Sequence, residues 1–407
     1  MRVLWRVLVV LMVVLVPVSA PAWAAAADGP APRTPIRHFV YLMQGDRTFD
    51  HYFGTYPGAD GIPAGIRMPR DTRRPTAGSV APFPLHGKPP VTLAAGRSVI
   101  AAQYNGGAMD GFVAAYERQG RDGAAAMGYY DRRDLPVHWN AADRYVLFDR
   151  FFASSQDGIR ANRALWVAGR ADAGAPTVFD RLDEAGVSWK FYVQDHKAGR
   201  KTVRVPLAAD DPHVVDLDEY YRDLERGTLP AVAYVASSGA SERSARSVPA
   251  GQKLVRSLAT QLMLSRYWGS SALLWSYDGS GGWYDHVKPP AGNGFRVPAV
   301  LVSPYAARGK VDHTARDAAS ALQFVEENWR LRPLGGRVAS ANSLGTAFDF
   351  ASPPRRAELI PDGSTTEPPV ARPVDNALVY GVYGGAVGVA AVTLGAAGWR
   401  GRRDGAA

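Results

Sequence analysis

A chain of 407 residues with 46% hydrophobic content is long enough for one large α/β domain with appendages, and its middle does not have the composition of a disordered chain. The net charge of +9 is spread diffusely, with no Lys/Arg run interleaved with aromatics, which argues against a nucleic-acid partner. Cysteine is absent, which excludes disulfides, thiolate metal sites and a cysteine nucleophile.

At the N-terminus, Arg2 and Arg6 flank an apolar run over 7–16, followed by Pro17 and the small-x-small triplet Ala22-Trp23-Ala24. The run is too short to span a bilayer, so residues 1–24 read as a secretory signal. Residues 25–35 form a Pro/Ala/Gly spacer, and the body begins with a strand-like run over 36–43. Further strands are expected at 188–193, 231–236, 272–277 and 299–302, with helices at 162–171, 177–185 and 318–329. Strands alternating with helices predict βαβ units and a mainly parallel sheet, with working residues at the carboxyl ends of the strands. The Pro-, Gly- and Arg-rich stretch 69–97 reads as an excursion from that sheet, and the body extends over 36–351.

Residues 352–375 turn rich in Pro, Arg, Ser and Thr and read as a semi-stiff stalk. Residues 376–399 are apolar and uncharged, enough for one transmembrane helix, with Tyr380 and Tyr383 at one interface and Trp399 at the other. Arg400, Arg402 and Arg403 in the tail 400–407 then form the cytoplasmic positive flank. The expectation is a single-pass protein of a bacterial cell membrane, its body extracytoplasmic and its C-terminus cytoplasmic. The Cys-free, Ala/Arg/Gly/Val-rich composition suits an envelope protein of a GC-rich genome.

Four polar clusters follow expected strands or lead into helices: 44–54, 154–163, 274–287 and 311–317. Carboxylates at the ends of separate strands are how sites for hard cations are assembled, and arginine adds a clamp suited to phosphate. Asp-His pairs and Gly turns are common in ordinary loops, so it is their joint placement that points to chemistry.

The blocks QGDRTFDHYFG, MDGFV, MGYYDRRDLP, YDGSGGWYDHVKPP and RVPAVLVSPYAARGKVDHT resemble the bacterial phosphoesterase family of phospholipases C and related acid phosphatases. So do PTVFDRLDEAGVSWKFY, FVEENW and AFDF, and the likeness runs collinearly over about 36–350. It implies an alkaline-phosphatase-like α/β/α sandwich and, in active members, metal-assisted attack on a phosphoester by a hydroxyl nucleophile.

Carried over residue by residue, the resemblance implies losses. The family's Glu-Asn metal pair stands here as Gly45-Asp46, and its nucleophile position falls on Ile159. Its Asp-Glu-His turn stands as Asp278-Gly279-Ser280. Family histidines fall on Arg243 after Glu242, on Ala318 after Asp317, and near Ala95. Arg47, Asp50, His51, Asn162, Arg163, Asp285, His286, His313 and Asp317 match family positions and are expected to line the cleft, with Asp46 and Asp278 as candidate metal ligands. For Asp50-His51 and Asp285-His286, loop-fixing hydrogen bonds are the competing reading.

The expectation is therefore a membrane-anchored, catalytically degenerate member with a cleft for a phosphoester or phospholipid-like ligand. The alternative is an active metal-dependent phosphoesterase that uses a divalent ion on Asp46 and Asp278, with Ser154, Ser155 or Asp157 as substitute nucleophile.

Overall fold

A computed structural model describes residues 29–172, 174–196, 207–208 and 210–363. The expected signal, transmembrane helix and cytoplasmic tail lie outside the described residues. Among the described residues no helix is long and apolar enough to cross a membrane.

Eight strands form the main sheet: β1 His38–Gln44, β2 Val146–Phe148, β3 Trp189–Val193, β4 Val214–Asp216, β5 Val232–Ala236, β6 Ser271–Tyr277, β7 Ala299–Val302 and β8 Val311–Asp312. Their order across the sheet is β8-β2-β7-β6-β1-β5-β3-β4. All neighbours are parallel except β7, which runs antiparallel to both β6 and β2. The three central strands are buried along nearly their whole length, as a sheet covered on both sides requires.

Alternation along the strands shows what covers each face. Phe39 and Tyr41 of β1 point one way, against Phe324 of the helix Ala318–Trp329 and Trp166 of the helix Ile159–Ala168, each at 5.5 Å between rings. Trp275 and Tyr277 of β6 point the other way and meet His138 of the helix Pro136–Ala142. Helices thus layer both faces of a mainly parallel α/β sheet. A second, smaller core under the 69–97 excursion gathers Met68, Phe112, Val113, Met127, Tyr284 and Phe295.

The expected elements form with local adjustments. The strand 299–302 and the helix 318–329 match their expected bounds, the latter closed at its start by the Asp317 side chain on the Ala319 amide. The helix expected over 162–171 spans Ile159–Ala168 instead. Gly158 (φ 87°) opens it and Gly169 (φ 65°) ends it in the left-handed conformation that favours glycine. Residues at both edges of the body also pack onto it. Arg33 and Thr34 bond Asn328, and in the segment expected as stalk Ile360 is 1% exposed, with its carbonyl accepting from Arg256.

Candidate functional site

Three adjacent parallel strands, β5, β1 and β6, end at the same edge of the sheet, where open α/β sheets place their ligands. Their continuations deliver Glu242 and Arg243, then Gly45, Asp46 and Arg47, then Asp278, Gly279 and Ser280. Backbone bonds hold the three loops in register: the Gly45 amide donates to the Ser241 carbonyl at 2.8 Å and the Asp278 amide to the Gln44 carbonyl at 3.0 Å.

Asp46 and Asp278, the two expected metal carboxylates, do come together, and Arg243 lies between them. Its Nη1 bonds Asp46 Oδ2. Its Nη2 donates to Asp278 Oδ1 at 3.0 Å and Oδ2 at 2.7 Å. Arg163 Nε adds a third bond to Asp278 Oδ2 at 2.9 Å. Burial and the Asp278 charge push the Asp46 carboxyl up, with Arg243 and Arg47 opposing. Burial also works against the charge on Arg243, but Asp278 and Asp46 outweigh it and hold that guanidinium above its usual range. Asp46 sits at φ 61°, an uncommon conformation for a residue with a side chain.

Beside this group lies a narrow cleft whose walls include Asp46, Ala95, Ser155, Ile159, Asn162, Asp278, Gly279 and Ser280. Positions that the resemblance assigned one at a time therefore converge in space. The room inside is about 20 Å³, roughly one water molecule. Asn162 clamps the loop at the helix start: its Oδ1 accepts from the Ser155 amide at 2.8 Å and its Nδ2 donates to the Ser155 carbonyl at 3.0 Å. Of the three substitute nucleophiles, only Ser155 reaches the cleft, and its hydroxyl bonds Asp157 at 3.2 Å. Asp157 is paired with Arg97 in the open, and Ser154 is buried, with its carbonyl accepting from Arg337.

The other expected residues do not line the cleft. Asp50, Asp285 and His286 gather close enough to suggest a cation site, but Arg296 already fills it. Its Nη2 meets Asp50 Oδ1 at 3.0 Å and its Nε meets Asp285 Oδ1 at 2.8 Å. His286 bridges Asp50 (2.7 Å) and Asp60 (3.1 Å), and although burial opposes its charge, the Asp50 contact holds its pKa above the usual value. His51 stacks on Trp283 at 3.7 Å and its Nδ1 bonds the Gly128 carbonyl; burial and then Arg47 keep the ring neutral. The loop-fixing reading is the one the geometry favours for both pairs. Arg47 is buried, with Nε on the Tyr52 hydroxyl and Nη1 on the Asp46 carbonyl, so it braces the loop. His313 is largely exposed and pairs with Asp149, while Asp317 caps its helix and holds Arg337.

Three features were not read from the sequence as parts of a site. Arg243 was legible only as a histidine lost. Arg296 opens the quoted block RVPAVLVSPYAARGKVDHT but was given no role there. Glu242, fully buried, accepts from the Tyr52 and Tyr277 hydroxyls at 2.7 and 2.8 Å and pairs with His138 at 3.2 Å.

The family profile described as Phosphoesterase family matches residues 36–332. Phospholipase C A of Mycobacterium tuberculosis is 28% identical, over 89% of this chain and 84% of that protein. The non-hemolytic phospholipase C of Burkholderia pseudomallei is 25% identical, over 82% of this chain and 62% of its own. Among solved structures, a protein in the alkaline phosphatase superfamily from Vibrio parahaemolyticus covers 74% of this chain and 68% of its own, at 11% identity and a TM-score of 0.39.

Proposed function

The chain belongs to the phosphoesterase family, and on that premise we propose that it is a membrane-anchored, extracytoplasmic member that has lost hydrolysis and keeps the cleft for binding. The observation that carries this reading is Ile159 in the wall of a cleft of about 20 Å³, at the position where the resemblance places the attacking hydroxyl. An isoleucine has no oxygen to attack phosphorus, and removing a nucleophile alone costs several orders of magnitude in rate. The donor set does not suit a catalytic divalent ion either: Gly45 and Gly279 offer no side-chain ligand, and Asp46 and Asp278 already share Arg243.

A phosphate, free or as a lipid headgroup, is the ligand class in keeping with the relatives' names and with the amides at the start of the helix Ile159–Ala168. Admitting it requires the loop 155–158 to move, because the present space holds about one water. Anchoring rests on the apolar segment 376–399 and its arginine flank, and export on the signal-like residues 1–24.

The test is a hydrolysis assay of the detergent-purified full chain on phosphomonoesters and phosphodiesters with added Mg²⁺, Mn²⁺ or Zn²⁺. Rates equal to those of Asp278→Ala are expected. Turnover abolished by Asp278→Ala would overturn the reading in favour of an active phosphoesterase. Protease digestion of the body in intact cells tests the membrane topology.

A further inference from the structure

We propose that Arg243 is the resident cation of this site, a guanidinium tethered where the family's resemblance calls for a metal ion, so that the chain neutralises its own carboxylates and takes up no divalent ion. The inference deepens the reading above and rests on it for the identity of the site.

Four observations support it. First, the guanidinium bridges the two carboxylates, with Nη1 on Asp46 and Nη2 on both oxygens of Asp278. Forked bonding of this kind is specific to arginine. Second, the position that the resemblance assigns to a metal-binding glutamate has been cleared for it. A Cβ on Gly45 would lie 2.8 Å from Nη2, 3.1 Å from Cζ and 3.2 Å from Nε of Arg243. The missing side chain and the guanidinium are one steric feature.

Third, the backbone that carries Arg243 is fixed on both sides. The preceding Glu242 is fully buried at φ 60° under Tyr52, Tyr277 and His138, and Gly251 leaves it room, since a Cβ there would lie 2.0 Å from Glu242 Cγ. The Ser241 carbonyl accepts from Gly45, and the Arg243 carbonyl faces Arg47 Nη1 at 3.4 Å. Fourth, the directly ion-paired charges balance. Two carboxylates, Asp46 and the fully buried Asp278, face two guanidiniums, Arg243 and Arg163. A divalent ion added to that set would leave two uncompensated positive charges in a desolvated place.

The experiment is thermal unfolding and metal analysis of the detergent-purified full chain, with and without EDTA and with added Mg²⁺, Mn²⁺ or Zn²⁺. The wild type is expected to hold no stoichiometric divalent metal and to keep its Tm under all conditions. Arg243→Ala should lose several degrees and recover part of the loss on adding one of these ions, because Asp46 is then left without its bonded cation and Asp278 keeps only Arg163. Arg243→Ala/Asp46→Asn, with charge removed on both sides, should lose less than Arg243→Ala and give no metal response.

A wild type that holds a divalent ion and melts lower in EDTA overturns the inference. So does an Arg243→Ala variant with unchanged Tm and no metal response. If Arg243→Ala does not fold, the wild-type EDTA result and the double variant still decide. None of these readouts is turnover, so hydrolysis without metal would sink the non-hydrolytic reading alone, and bound metal without hydrolysis would sink this one alone.

Discussion

Gly45 and Gly279 both stand where the resemblance expects metal ligands, but the structure gives them different roles, and alanine separates them. At Gly45 the new methyl must push the Arg243 guanidinium from 2.8 Å out to ordinary contact, a retreat of about half an ångström or more. That retreat stretches the 2.7 and 3.0 Å bonds to Asp278. Hydrogen bonds to charged groups contribute about 1.5–3 kcal/mol each, so partial loss costs roughly 1–2 kcal/mol. Replacing glycine stiffens the unfolded chain and returns about 0.4–1 kcal/mol, which leaves a net loss near 1 kcal/mol. At Gly279 the nearest atom to a new Cβ is Asp46 Oδ1 at 3.6 Å, ordinary contact, so Gly279→Ala should carry no steric cost and keep the unfolded-chain gain of about 0.4–1 kcal/mol. Arg243→Ala itself should cost about 2–3 kcal/mol. This is less than the usual 3–5 for breaking a buried pair, because the Arg243 side chain is 31% exposed and Arg163 still holds Asp278. Urea unfolding of Gly45→Ala, Arg243→Ala and the double variant closes the cycle. Once Arg243 is gone, a methyl that acts only through the guanidinium leaves just the unfolded-chain gain of about 0.4–1 kcal/mol, so the coupling equals the full roughly 1–2 kcal/mol of stretched bonding. An equal cost of Gly45→Ala in both backgrounds would refute the reasoning, as would a Gly279→Ala cost of the same size.

His286 is held above its usual pKa despite burial by its contact with Asp50, so its stabilising charge is fully present below the unfolded value of 6.5 and is lost as pH rises through the folded pKa. The Tm gap between wild type and His286→Gln should therefore be widest in mildly acidic buffer and shrink towards alkaline pH; a constant gap would mean that the ring acts by packing alone. Arg296→Met strands Asp50 and Asp285, both essentially buried, and should cost about 3–5 kcal/mol in urea unfolding, partly restored by Asp285→Asn. Ile159→Thr puts a hydroxyl back in the cleft wall, but its hydrolysis of a nitrophenyl phosphate should stay at the wild-type background because Asp46 and Asp278 remain tied to Arg243; a rise in rate would mean that the cleft can still assemble a working cation site.

Local signals that agree with their surroundings were legible in the sequence. The run 299–302 is apolar between turn residues, and 318–329 follows an Asp that caps it, so both appear at their expected bounds. The strands Val146–Phe148 and Val311–Asp312 are three and two residues long and have no periodicity to read. The 17-residue helix Val248–Leu264 escaped notice because Pro249 and Gly251 in its first turn look like a loop. Gly251 is there for a tertiary reason, the approach of Glu242. The same holds at the site. Asp46 and Asp278 follow strands that proved to be neighbours and could be paired on paper. Arg243 lies 197 residues from Asp46 and 35 from Asp278, and the β5-β1-β6 order brings it to both.

Two ion clusters at this edge of the sheet follow one rule with different consequences. In each, a guanidinium lies between two aspartates: Arg296 between Asp50 and Asp285, Arg243 between Asp46 and Asp278. The Arg296 cluster uses aspartates at positions that match the family resemblance, and it ties the 49–53 and 285–286 segments together whatever the neighbouring cleft does. The Arg243 cluster stands where the chain departs from that resemblance. Asp278 links position 45 to position 243. Its side chain has no exposed surface, and a charge buried without a partner is costly. Without Arg243, Asp278 would have Arg163 alone as a bonded cation and Asp46 would lose its own. Arg243 serves both, and the glycine at 45 leaves its guanidinium room. Positions 45 and 243 are therefore coupled through Asp278, whereas a Cβ at Gly279 would meet nothing closer than Asp46 Oδ1 at 3.6 Å.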